Sequence, residues 1–533
     1  MNRQNKRSIR PMVCLILLLC FHLFGNLIWI KLNQAYPPWD QAYHTLRSFY
    51  FLDWFKNLFK GQFNLYPFID SYGPLVRFTT GFIMFITVPS IKLAQFVNTI
   101  FFLLTIVMIF VISRYLFKDD WSALIASFIF SFFLAVYDYS RWLLLDIPLL
   151  FFLLVSYFFL LKSQFFSNFK NTFWFFIFTS AVALIKIQGL VYLIIPLIIV
   201  LFQAFKEKNH KWLLNLFLGG FIFTCLLSWW LIPNLMNLNN YLQFGIKAEP
   251  ISDPTNLWQL NTWFHYLKLI IDYLVTPFVF IFFCLFLFYF LKDRKQHGIK
   301  LLIIINLAFY YLLLSGVPNK DMRYIFPILP WLAIIFGEGF IIFKRTYKII
   351  ALVIIFLMVA YNTYFYINLS YGIPFKKGRV KQFNTPILGE VVYYNLSDYP
   401  VRQFDPNHWP LLEIITDISN LDNRREKKVL LAVDYEKINN SNLVLLQRMS
   451  NIKNIIFDSP PTRGELDKFG GLKSYVIAYD YLVISSADVN PFYLFNKKTL
   501  SNLTFYIKQE GLSLVRQYDL PDKTSLLVYL IKK

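Results

Sequence analysis

From residue 11 to residue 368 the chain alternates apolar runs, many of them about 18 residues or longer, with short connections rich in Lys and Arg. A run of that length crosses a hydrocarbon core of roughly 30 Å as a helix. The pattern predicts about eleven spanning helices, at 11–30, 91–113, 121–136, 147–161, 172–185, 190–205, 212–231, 267–291, 301–315, 325–343 and 349–368. A long first loop, 31–90, separates the first two. Within it the apolar run 78–89, bounded by Pro74 and Pro89, is too short for a full span and reads as a half-buried or re-entrant helix. A polar loop is expected at 232–266.

Charge orients this array. Arg114 and Lys118, Lys162 and Lys170, Lys206, Lys208 and Lys211, the cluster Lys292 to Lys300, and Lys344 to Lys348 all fall on one side if there are eleven spans. The positive-inside bias makes that side cytoplasmic, together with the N-terminus; loop 31–90 and the C-terminal region then lie outside. Counting 78–89 as a span would turn every later basic connection outward. The basic start (Arg3, Lys6, Arg7, Arg10) followed by Pro11–Ile30 looks like a signal peptide. No small-residue cleavage site follows it, so it reads as an uncleaved first helix.

Residues 370–533 change character, with mixed charge and shorter apolar runs. Strands are expected at 428–433, 454–457, 474–478, 481–484, 513–517 and 525–531, with a helix at 499–509. Alternating elements of this kind predict a small α/β domain. The expected organisation is therefore a transmembrane module, 1–369, with its first outer loop at 31–90, and a soluble extracytoplasmic α/β domain, 370–533. The second lacks a P-loop, a Rossmann glycine fingerprint and an HExxH motif, which favours recognition or structure over a second active site.

Composition agrees. Of the 533 residues 57% are hydrophobic and 16% charged, and the mean hydropathy is +0.49, far from a soluble domain with about 25% charged residues. The net charge of +21 does not signal nucleic-acid binding, because the cations sit in the short connections and form no basic face with interleaved aromatics. Cys14, Cys20, Cys225 and Cys284 lie inside apolar runs and read as small buried hydrophobes, not metal ligands or a disulfide framework.

The candidate chemistry gathers on the expected outer side. Tyr36-Pro-Pro-Trp-Asp-Gln-Ala-Tyr-His-Thr-Leu-Arg47 follows the first helix directly. If Asp40 opens a helix after the two prolines, His44 and Arg47 follow on its face. Asp70 and Arg77, Asp138, Arg141 and Asp146, Lys186 and Gln188, and Lys320, Arg323 and Tyr324 lie at the other run ends. Charged groups there often only anchor or snorkel. Asp146 and Lys186 sit tight against apolar sequence and need partners.

In order, these features resemble the GT-C membrane glycosyltransferases, especially the protein O-mannosyltransferase-like family 39 and the aminoarabinose-to-lipid A transferases. Trp39-Asp40-Gln41-Ala-Tyr43 looks like the family's acidic first-loop motif, with Gln41 in place of a Glu. Tyr72-Gly73-Pro74-Leu75 matches its Pro-Leu motif, although the aminoarabinose enzymes tend to carry a cation at Gly73. Ser140-Arg141 to Asp146-Ile-Pro148-Leu149, Lys186-Ile-Gln-Gly189, and Lys320-Asp-Met-Arg323-Tyr324 to Pro330 complete the series. The resemblance covers roughly residues 10–345.

It implies inverting transfer of a sugar from a polyprenyl-phosphate carrier to a protein, lipid or glycan on the non-cytoplasmic face, with Asp40 as catalytic base. The leaving phosphate needs fixed cations or donors; Lys186, Lys320, Arg323, Tyr324 and, less directly, Arg77 are the candidates. Gln41, His44, Arg47, Arg141 and Asp146 are supporting or acceptor-side candidates. No required metal is expected, since no dense outer cluster of carboxylates and histidines is visible, and a divalent ion is left open. The expected location is a bacterial inner membrane. Two other functions are weighed. A transporter or flippase should show internal repeats and charges near the membrane midplane; here the charges sit at helix ends and no repeat is evident. A non-catalytic assembly factor is the third.

Overall fold

A computed structural model describes residues 9–206, 210–247, 256–373, 380–385, 389–395, 402–421, 426–459, 472–486 and 497–531. Arg3, Lys6, Arg7 and Lys208 lie outside the described residues. The chain divides into two compact units: Met1–Ile30, Trp54–Val88 and Lys92–Gln403 form one, and Lys31–Asp53, Pro89–Ile91 and Phe404–Lys533 the other.

The first unit is helical. Among the described residues seven helices are long and apolar enough to span: Ile9–Leu32, Ile91–Phe117, Ile187–Lys206, Lys211–Gln243, His297–Ser315, Met322–Thr346 and Lys348–Tyr371. An eighth is broken, Leu260–Val275 and Pro277–Lys292 meeting at 112°. The break follows from sequence: Thr276 takes φ 79° and Pro277 starts a new helix without an N–H to donate.

The other three expected spans are helices of 12, 17 and 15 residues, Asp120–Ser131, Asp146–Lys162 and Phe169–Ala183, so among the described residues seven helices, or eight with the broken one, have spanning length and composition. The run 78–89 is the 12-residue helix Leu75–Ile86, short as expected. The polar loop at 232–266 is largely helical instead. The helix from Lys211 runs through Pro233 to Lys247, and another covers Leu260–Leu269. Asn234 there is buried, with its Nδ2 donating to the Phe68 carbonyl (3.0 Å) and its Oδ1 accepting from the Asp70 N–H (2.7 Å).

Burial corrects the reading of the cysteines. Cys14, Cys225 and Cys284 are exposed and Cys20 is intermediate. The three exposed ones lie on helix faces that no other described part of the protein covers, as an apolar residue can when the solvent is lipid. Polar residues take the interior. Arg141, fully buried, donates to Asn26 Oδ1 (3.0 Å) and Ser370 Oγ (2.8 Å) and lies 5.0–5.5 Å from the Trp29, Tyr137 and Tyr366 ring centres. Asp138 accepts from the Arg402 backbone N–H and guanidinium, both at 2.8 Å. Arg141 thus ties three helices together. Also in this unit, β1 (Val380–Thr385) and β2 (Gly389–Asn395) pair antiparallel.

The second unit is α/β. Strands β3 (Lys427–Leu431), β4 (Ile455–Asp458), β5 (Tyr481–Ser485), β6 (Ser513–Asp519) and β7 (Ser525–Leu530) form one sheet in the order β4-β3-β5-β7-β6. The first three are parallel; β7 runs antiparallel to β5 and to β6. Side chains alternate along β3. Val429, Leu431 and Val433 join one core with helices Leu411–Asn420 and Asn440–Met449. Leu430 and Ala432 join the other with helices Leu472–Ile477 and Lys497–Gln509. Covering helices on both faces explain why β3 reads as a continuous apolar run. The expected strand at 474–478 is the helix Leu472–Ile477. Its Tyr475 and Val476 pack under the sheet, and six residues of β-branched and aromatic character carry too little pattern to choose between the two states.

Candidate active site

The sequence candidates divide between the two units. In the first, Asp146 opens the helix Asp146–Lys162, with Pro148 in its first turn. Lys186 stands in extended conformation between the helix ending at Ala183 and the short 3₁₀ turn Ile187–Leu193. Its Nζ donates to Asp146 Oδ1 at 2.6 Å; the two side chains are 11% and 4% exposed. Asp146 Oδ2 is buried with no hydrogen-bond partner among the described residues.

Two glycines build this corner. A Cβ on Gly189 would come within 2.6 Å of Leu149 Cδ1 and 2.7 Å of Val182 Cγ1, so the glycine lets the 3₁₀ turn lie against the Asp146 helix. A Cβ on Gly73 would overlap the Leu184 carbonyl oxygen, 2.0 Å away, and the Leu75 N–H donates to that same oxygen at 3.0 Å. The Pro-Leu segment is thereby stitched to the backbone two residues before Lys186. A long cationic side chain at position 73 has no room here.

Arg77 is fully buried and committed. It donates to Asp70 Oδ2 (2.6 Å), the Tyr72 carbonyl and the Gly73 carbonyl (3.0 Å), which closes the loop around the Pro-Leu motif. Asp321 caps the turn Met322–Ile328 and accepts from the Arg323 N–H (2.8 Å), Nε (2.8 Å) and Nη2 (2.6 Å). Burial alone would raise the Asp321 carboxyl; the Arg323 guanidinium and its hydrogen bonds, then the Lys186 charge, outweigh it and hold the group below the usual carboxylate range. Asp146, Lys186, Asp321 and Arg323 therefore interact as one charged cluster. Asp321 is a member that sequence reading passed over, although it sits inside the Lys320–Tyr324 motif.

Lys320 is 2% exposed and turned into the end of the helix His297–Ser315, donating to the carbonyls of Ser315 and Val317 (2.9 Å for the latter). It neutralises that helix end. Tyr324 is held through its backbone, its carbonyl accepting from the Tyr192 hydroxyl.

The helix Trp39–Leu58, whose residues 39–53 belong to the second unit, begins where the two prolines predict, with Asp40 in its first turn. Asp40 is half-buried, whereas Gln41, His44 and Arg47 are 5%, 2% and 6% exposed. Arg47 lies 5.6 Å from the Tyr50 ring centre. Thr45 and Ser48 return their hydroxyl protons to the Gln41 and His44 carbonyls (2.7 and 2.9 Å), as hydroxyls do inside a buried helix. Trp39 Nε1 donates to Asp434 Oδ1 at 2.8 Å.

Comparison with known proteins now adds to this geometry. Residues 12–244 match the family model described as dolichyl-phosphate-mannose-protein mannosyltransferase. No curated protein matches the chain. Among solved structures, the crystal structure of ArnT from Cupriavidus metallidurans in the apo state aligns with a TM-score of 0.61 at 12% identity, covering 96% of this chain and 97% of that one. The same protein bound to undecaprenyl phosphate aligns with a TM-score of 0.59, again at 12% identity and with coverage of 96% and 97%. The chain is thus a multi-pass membrane protein with the ArnT fold over nearly its full length, and its residues 12–244 resemble the mannosyltransferase family.

Proposed function

We propose that this enzyme moves a sugar from a polyprenyl-phosphate carrier to a hydroxyl of a protein, lipid or glycan on the non-cytoplasmic face, with inversion. The acceptor oxygen attacks the anomeric carbon, its proton passes to the Asp40 carboxylate, and the bond from that carbon to the phosphate oxygen breaks with its electron pair leaving on the lipid phosphate. The observation that carries the reading is the state of the Trp39-to-Arg47 motif. Its carboxylate, Asp40, is the partly open group in the first turn, while Gln41, His44 and Arg47 are buried around the helix it starts. A first-turn position also favours negative charge. ArnT, which shares the fold, is known with undecaprenyl phosphate bound, which supports a polyprenyl-phosphate donor here.

Lys186 and Arg323 are the proposed partners of the leaving phosphate. Each is now balanced by a carboxylate, Asp146 or Asp321, so a phosphate would enter a cluster already organised for charge. Arg77, Lys320 and Arg141 are proposed as framework cations, because each makes buried hydrogen bonds to side chains or backbone carbonyls of its own unit.

The test is Asp40→Asn. With expression and membrane insertion unchanged, transfer should fall by about 10²–10⁴-fold, the usual worth of a positioned base; full turnover in that variant would remove Asp40 from the mechanism. We further propose that the protein's own cations supply the compensating charge without a required metal. Transfer measured in EDTA should match transfer in added Mg²⁺ or Mn²⁺, and restoration by one of these ions alone would overturn this.

A further inference from the structure

Asp434 is 5% exposed, and among the described residues no cation pairs with it. Its side chain accepts from the Trp39 indole. Burial pushes the carboxyl up, against the lowering effect of that hydrogen bond. Keeping such a group there is costly unless it does something.

Its place in the sheet is informative. Asp434 lies just past the carboxyl end of β3, the middle strand of the parallel trio β4-β3-β5. The connections leaving β3 and β4 run over opposite faces, through Asn440–Met449 and Leu472–Ile477. Open α/β sheets bind ligands at such a point. Here the indole of the chain's own Trp39 is bound there.

Trp39 has φ 29°, a backbone region that a bulky L-residue leaves unless something holds it. The residue that follows is Asp40. The same unit grips this segment twice more. Asp405 N–H donates to Asn33 Oδ1 at 3.0 Å, and Arg448 pairs with Asp53 while lying 5.6 Å from the Tyr50 ring centre.

We infer that Asp434 is a positioning residue for sugar transfer: by holding the Trp39 indole N–H it fixes the strained first turn that presents Asp40. This rests on Asp40 being the base. What matters is an acceptor oxygen at position 434, not its charge, so Asp434→Asn, which keeps a carbonyl oxygen there, retains the function and Asp434→Ala loses it. Trp39→Phe removes the other partner with its ring kept.

The experiment expresses the full chain and each variant at matched levels in the native host lacking the wild-type protein. It follows the rate at which the chain-dependent envelope glycan appears by mass spectrometry after induction, and hydrogen exchange of the purified proteins. Asp434→Ala and Trp39→Phe should each slow accumulation roughly 10- to 100-fold, the scale of a misplaced catalytic group. The double variant should be no slower than either single one. Asp434→Asn should stay within about twofold of wild type, inside the spread expected of a preserved interaction. Exchange should quicken over residues 39–44 in Asp434→Ala and keep its wild-type rate in Asp434→Asn.

Wild-type accumulation in Asp434→Ala, or Asp434→Asn as slow as Asp434→Ala, overturns the inference. If Asp434→Ala does not accumulate as folded protein, the other two variants decide, and a wild-type rate in Trp39→Phe is then fatal. Asp40→Asn runs alongside. A full rate there removes the base assignment itself, whereas an inactive Asp40→Asn beside a fully active Asp434→Ala removes only the positioning role.

Discussion

Lys186 and Asp146 are 40 residues apart, one ending a stretch after a helix and the other beginning one. Each is unreasonable alone at the edge of apolar sequence, and together they neutralise one another at 2.6 Å. Removing one member of a buried pair strands the other, at a cost of about 3–5 kcal/mol. Lys186→Gln should therefore lower the melting temperature of the detergent-purified protein as well as activity. Adding Asp146→Asn should recover most of the stability, because no buried charge is left, and none of the transfer. Recovery of both would reduce Lys186 to a structural cation. Sequence reading had marked these two residues as needing partners. It had not paired them, because pairing depends on how the Gly189 turn lies against Leu149.

At the level of elements, the C-terminal sheet and the segment 31–53 share one unit, and two carboxyls of that unit, Asp405 and Asp434, have opposite pH signatures. Burial raises Asp405, but Lys437 at 3.1 Å, the Asn407 backbone N–H and the Trp409 indole outweigh it and hold the carboxyl below its ordinary value. A depressed folded-state pKa contributes stability that is present above the unfolded value, about 3.9, and lost as pH falls through the folded one. Asp434 is raised by burial, so its contribution is present below the unfolded value and lost as pH rises through the folded one. Asp405→Asn should accordingly melt earlier than wild type at neutral pH, with the difference closing in acid. Asp434→Asn should melt at or above wild type at neutral pH and match it in acid. Melting curves across pH 3–8 check both, and the same sign for the two would contradict the assignment. The strand positions at 428–433, 454–457 and 481–484 were legible because buried parallel strands are short apolar runs with clear ends. The helix Leu472–Ile477 was not, being six residues long.

For the whole molecule, span count and sidedness are separate questions. Each of the eleven apolar runs does carry a helix, but Asp120–Ser131, Asp146–Lys162 and Phe169–Ala183 fall short of a 30 Å core by length alone. Short helices of this kind are tolerated where neighbouring protein, not lipid, surrounds them; Asp120–Ser131, nine of whose residues are buried, fits that description. The charge pattern still predicts one arrangement. A cysteine placed at an exposed position of the sheet, such as Gln517→Cys, should react with a membrane-impermeant maleimide added to intact spheroplasts. Labelling only after lysis would put the C-terminal unit in the cytoplasm.

By itself the sequence determined the membrane class, the helical runs and the α/β character of the C-terminal region, because hydrophobic length and strand or helix period are local properties. Only the tertiary structure decided which partner each charge meets. Arg77, Arg141, Lys186, Lys320 and Arg323 look alike in sequence, each a cation at the end of an apolar run. What separates them is the partner that folding brings: a buried carboxylate and backbone carbonyls for Arg77, backbone carbonyls for Lys320, buried polar and aromatic side chains for Arg141, and carboxylates for Lys186 and Arg323. A cation's availability is a property of its surroundings, and those surroundings come from segments far away in the chain.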